Sequence, residues 1–105
     1  MKFRQWELPA AVDTASLLAS FTRSLLEAVK QTNRCKRLFD NAYEAVAIAS
    51  KAGALSQELL DEKARRDLEL HIALTAQAHA EGMVLEAEQL HAARQSLPFV
   101  EGEQP

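Results

Sequence analysis

Between Pro9 and Gly53 the chain runs without a single glycine or proline. Those two residues are the usual punctuation of turns, and an all-β sandwich or barrel needs them every few residues. Their absence over so long a stretch leaves helix as the regular structure available. Composition agrees: 19 Ala and 15 Leu stand against 7 Val and Ile together. Ala and Leu are strong helix formers, whereas β-branched residues favour strands.

The apolar residues then supply the period. Leu18, Phe21, Leu25, Val29, Thr32, Cys35, Phe39, Ala42, Val46 and Ala49 follow one another in steps of 3 and 4, which is one face of a helix. Asp13 or Thr14 serves as its N-cap. The spacing predicts one helix over 13–52, roughly 60 Å long at 1.5 Å per residue. A break near Thr32–Asn33 is the alternative, because both side chains compete for main-chain hydrogen bonds.

Gly53 falls where a helix ends in the left-handed conformation, and Ser56 is a second N-cap with Glu58 in the favourable first turn. A second helix is predicted over 56–97, with Leu60, Ala64, Leu68, His71, Leu74, Ala78, Leu85, Ala92 and Leu97 as its apolar positions. Gly82 inside it marks a close contact or a kink, and Pro98 ends it. Residues 1–12 form an N-terminal arm and 98–105 a flexible tail. The whole, 1–105, is a single helical domain.

Two segments, 42–49 and 70–76, are apolar on nearly all sides, which calls for more neighbours than one partner helix. With a turn at about residue 54, position 46 lies opposite about 62, so the two segments do not cover each other. A second copy covers them most simply. The expected fold is therefore all-α: a long antiparallel helical hairpin dimerising into a four-helix bundle. A compact monomeric bundle made by breaking each helix is the competing arrangement.

Charge divides the chain. The formal net charge is −3, but residues 1–53 are net basic and residues 54–105 net acidic, an arrangement that favours antiparallel pairing within or between copies and weakens with salt. The single cysteine, Cys35, forms no internal disulfide. It lies on the apolar stripe and reads as a buried thiol, although the adjacent cations would activate it if exposed. No stretch is long enough to span a membrane, and the first residues lack the apolar core of a secretory signal. The expected location is cytoplasmic.

Candidate chemistry is sparse. Glu88 and His91 form a Glu-x-x-His step of the kind that carboxylate bundles use for di-metal sites. The helix-1 glutamate such a site needs is missing opposite it, so no metal or other cofactor is expected. Arg66 and His71 enclose an Arg-x4-His sequence that resembles the signature of HEPN ribonucleases over six residues. The resemblance implies His71 as acid–base and Arg66 as phosphate ligand, yet positions five apart do not share a helical face. His71 also reads as an interface residue whose burial would make assembly pH-dependent.

Lys30, Arg34, Lys36 and Arg37 form a basic run suited to phosphate contacts, but no aromatic residue is interleaved and the protein is acidic. Nucleic acid binding is the second choice. The leading expectation is a small non-enzymatic protein–protein interaction module (adaptor, inhibitor, chaperone or regulator) acting as a homodimer with a further protein partner of unknown identity. Trp6 and Leu8 on the arm, with Tyr43 and Ile72 on the all-round apolar segments, are the expected partner-binding residues.

Overall fold

A computed structural model describes residues 13–102 and, within them, the side chains of residues 13–95. Two helices account for nearly all of it, α1 over Thr14–Lys51 and α2 over Gln57–Gly102. No strand occurs among the described residues. The expected arm, with Trp6 and Leu8, lies outside them.

Each helix end is set by a local signal. Asp13 caps α1: Oδ1 accepts from the Ala15 N–H at 3.0 Å and Oδ2 from the Ser16 hydroxyl at 2.8 Å. At the other end the Ala54 N–H donates to the Ala49 carbonyl at 2.8 Å and the Gly53 N–H to the Ser50 carbonyl at 3.2 Å. With Gly53 at φ +70°, this is the Schellman termination, which only a residue without a Cβ adopts cheaply. Ser56 caps α2, its hydroxyl accepting from the Leu59 N–H at 3.3 Å.

α2 extends past Pro98 to Gly102, where the sequence placed its end at 97. Proline removes one hydrogen bond and strains the preceding turn, and a helix already near its terminus has few bonds left to lose.

The chain divides into two compact units. One pairs residues Glu27 to Lys51 of α1 with residues Gln57 to Ala78 of α2 through the 52–56 turn; it is an antiparallel helical hairpin. The other pairs α1 up to Leu26 with α2 from His79 onward.

In the hairpin unit α1 turns Val29, Thr32, Cys35, Phe39, Ala42, Val46 and Ala49 inward, all buried or half-buried. This is the face that the spacing marks. Thr32 is in helix, so no break occurs there. Its hydroxyl lies 3.0 Å from the Ala28 carbonyl oxygen and 3.2 Å from that of Ala73 on α2, one proton serving both acceptors. The competition expected of a mid-helix threonine is thus resolved without a bend. Thr32 level with Ala73 also sets the register, which puts residue 46 opposite about 59, some three residues from the sequence expectation.

α2 presents a different face from the one its leucines suggest. Arg66, Leu70, Ala73 and Gln77 turn toward α1, whereas Leu60, Ala64, Leu68, His71, Leu74 and Ala78 are exposed. The expected stripe is the outward one. Ala73 lies so near α1 that a threonine hydroxyl reaches its main-chain oxygen, so the helices come close where this small residue meets Thr32.

In the second unit Thr14, Ala87 and Leu90 are buried, with Leu18, Phe21, Leu25 and Val84 half-buried around them. Thr14 Oγ1 lies 2.8 Å from His91 Nδ1, and His91 Nε2 lies 3.2 Å from the Gln95 amide nitrogen. His91 thus bridges Thr14 and Gln95 through its two ring nitrogens. Gly82 marks neither a close contact nor an interruption: an added Cβ would meet nothing within 4 Å.

Candidate interaction surface

The outward side of the hairpin unit carries an unusual load of large apolar side chains. Leu68 is 62%, Ile72 61% and Ile48 61% exposed, and Tyr43 56%. Leu55, Leu60 and Leu74 are exposed beside them. Scattered exposed leucines are ordinary, and this many large apolar side chains exposed on one unit make it a candidate interaction surface. Fully covering one such side chain stabilises by about 1.5–3 kcal/mol, so the set represents a strong drive to be covered.

Two grooves lie within the unit. On one side Arg34, Cys35 and Leu38 of α1 face Arg66, Ile72 and Ala76 of α2. On the other, Phe39 and Tyr43 face Leu60, Lys63 and Asp67. The Phe39 and Tyr43 rings lie 6.1 Å apart at 48°, and the Lys63 ammonium sits 4.9 Å from the Tyr43 centroid, a cation–π contact that steadies the ring. Both grooves are shallow.

The charged residues of α2 are organised among themselves. Arg66 donates from Nε to Glu62 at 2.8 Å and from Nη1 to Glu69 at 2.9 Å, while Arg65 donates from Nε to Glu62 at 3.1 Å. The Arg65 and Arg66 guanidiniums hold the Glu62 carboxyl below its usual range, and Glu62 and then Glu69 raise Arg66. Arg66 is thus committed to two carboxylates on the seam side. His71 is exposed, with Nδ1 2.8 Å from the Asp67 carbonyl oxygen and 3.3 Å from its carboxylate. The Arg66–His71 pair is divided between the two sides of α2.

The other sequence candidates are dispersed too. Glu88 is exposed, and His91 is engaged by Thr14 and Gln95. Among the described residues no group of three metal-ligating side chains comes together, and no helix is long and apolar enough to cross a membrane. Cys35 is a buried free thiol, 3.7 Å from the Gln31 amide nitrogen. Along the basic run, Lys30 pairs with Glu27 at 3.5 Å, while Arg34, Lys36 and Arg37 are exposed.

Of the expected partner-binding residues, Tyr43 and Ile72 are exposed but line different grooves, Tyr43 beside Leu60 and Ile72 beside Cys35, and Leu68 and Leu74 are exposed as well. The sequence marked those leucines as apolar but assigned them to the inside. Leu70, Ala73, Gln77, Ala80, Val84, Ala87 and His91 keep an alternation of 3 and 4 beside the leucine row, and spacing alone does not choose between the two rows. Compared with known proteins, the chain matches no family, no curated protein and no solved structure.

Proposed function

We propose that this protein is a non-enzymatic interaction module whose working surface is the outward side of α2, completed into a larger helical bundle by another polypeptide. One observation carries the reading: Leu60, Leu68, Ile72 and Leu74 of α2 stay exposed, while Arg66 and Gln77 share the seam with Leu70 and Ala73. A helix that keeps several large apolar side chains outside its seam offers surface to a second partner. Tyr43, steadied by Lys63, extends the surface, and Trp6 and Leu8 belong to the same reading as further anchors.

Native mass spectrometry on protein isolated gently from its own host tests this. The expected mass is the 11.6 kDa chain with at least one further polypeptide, lost when Leu68 and Ile72 are both replaced by serine. A bare monomer, or a chain carrying only metal, overturns it.

A second reading rests on the exposed cations Arg34, Lys36 and Arg37, which make no ion pair among the described residues. In that reading α1 contacts nucleic acid phosphates. Binding that falls steeply with salt and disappears in Arg34→Glu is its signature.

A further inference from the structure

Deepening that reading, and resting on it, we propose that the groove between Leu38 of α1 and Ile72 of α2 takes an acidic amphipathic helix of a partner protein. The apolar face of that helix covers Leu38, Ile72 and Ala76, and carboxylates along one of its flanks meet Arg34 and Arg37.

Two depressions of the hairpin unit share residues. Arg34 and Leu38 line one together with Cys35, Ile72, Ala73 and Ala76. They line the next together with Arg37, Asp40 and Asn41. The two therefore form one trough along α1, and every residue of it belongs to the hairpin unit. Its floor is apolar: Cys35 and Ala73 are buried, Leu38 is half-buried and Ile72 is 61% exposed. A trough between two antiparallel helices is the seat that a third helix takes in a bundle, through apolar residues at i, i+3 or i+4, and i+7.

Charge decides the chemistry of the occupant. On the α2 wall Arg66 donates to Glu62 at 2.8 Å and to Glu69 at 2.9 Å, so its cation is already answered. On the α1 wall Arg34 and Arg37 are exposed and make no ion pair among the described residues. They stand three residues apart on one helix, so two carboxylates one turn apart on a docked helix reach both. The groove on the other side of the seam offers no such pair: Lys63 lies on the Tyr43 ring and Asp67 beside His71. A row of nucleic acid phosphates fits the trough less well. It gains nothing from Leu38, Ile72 and Ala76, and it meets the carboxylates of Asp40 and Glu69, which line the same trough.

The test uses the whole purified chain and two synthetic helical peptides. Both carry leucine along one face on an alanine background; one has glutamate beside the leucines and the other has lysine. Fluorescence anisotropy should show the glutamate peptide binding on the order of tenfold more tightly, since two exposed ion pairs together shift binding by that much. The gap should narrow at high salt. Arg34→Glu with Arg37→Glu should reverse the preference, Arg34→Gln with Arg37→Gln should abolish it, and Ile72→Ser should weaken both peptides. All three residues are exposed, so circular dichroism should show the variants folded. Equal binding of the two peptides, binding of neither, a preference that survives the arginine substitutions, or undiminished binding in Ile72→Ser overturns the proposal. So does a DNA duplex that binds the chain more tightly than the glutamate peptide and is released by Arg34→Glu with Arg37→Glu, which gives the two arginines to phosphates instead. If the polypeptide on the host-isolated chain leaves with Leu68→Ser and Ile72→Ser but stays with Arg34→Glu and Arg37→Glu, the interaction module stands and the acidic helix does not.

Discussion

The Thr32 hydroxyl on α1 lies 3.2 Å from the main-chain oxygen of Ala73 on α2. A side chain reaches the neighbouring backbone only where two helices run close, and here Thr32 and Ala73 are 7% and 6% exposed. The contact fixes how the helices align along their length.

Thr32→Val tests how much that contact holds. Valine keeps the branched shape and removes the hydroxyl, so the change isolates the hydrogen bond. Ala73's oxygen retains its partner within α2, and the cost should be about 1 kcal/mol. Urea unfolding followed by circular dichroism, at one protein concentration, measures it; an unchanged midpoint would mean that close packing alone sets the alignment.

Gly53→Ala should destabilise by about 1 kcal/mol. Nothing lies within 4 Å of the position a Cβ would take, so steric contact contributes nothing and the cost is that of φ +70° alone. A thermal melt of the variant that matches the parent would show that the turn relaxes to another conformation.

Acid should weaken the fold in a defined window. The Ser16 hydroxyl, then the Ser16 and Ala15 N–H groups, hold the Asp13 carboxyl below its usual range. Arg65 and Arg66 do the same for Glu62. A carboxyl depressed in the folded state binds its proton more readily when unfolded. Its contribution is present above the ordinary carboxylate range and is lost as pH falls through the folded value. Melting temperature should be flat from pH 7 to about 5 and fall below about 4. In Asp13→Asn the fall should be shallower, and an identical acid limb would remove the cap from the account.

Cys35 should be protected. At 6% exposure its thiol should react with a thiol reagent on the order of a hundredfold more slowly in the native protein than in urea. Equal rates would mean that the seam opens readily around it.

The α1 half of this arrangement was legible because its inward face is also its apolar face. Leu18 through Ala49 keep one period, and no other row on that helix competes. The capping residues Asp13, Gly53 and Ser56 were legible for a similar reason, since each acts on its own neighbours. α2 carries two rows at helical spacing, and apolar content favours the outward one. Spacing alone does not choose between them, and the contact between Ala73 and Thr32 that marks the inner row becomes readable once the register is known. Pairings such as Thr14 with His91 depend on the same alignment and could not be read before it. Of the candidate surface, Tyr43 and Ile72 followed from their all-round apolar segments. Leu68 and Leu74 were hidden by the assumption that leucine marks the inside.

The opposed faces of α2 separate two demands that most helices must satisfy with one set of residues. Alignment with α1 is written in Thr32, Ala73 and the Arg66 network, while Leu68 and Leu74 stand exposed and take no part in it. On the function proposed above, drift in the exposed set would retune a partner's fit while leaving the hairpin's alignment intact.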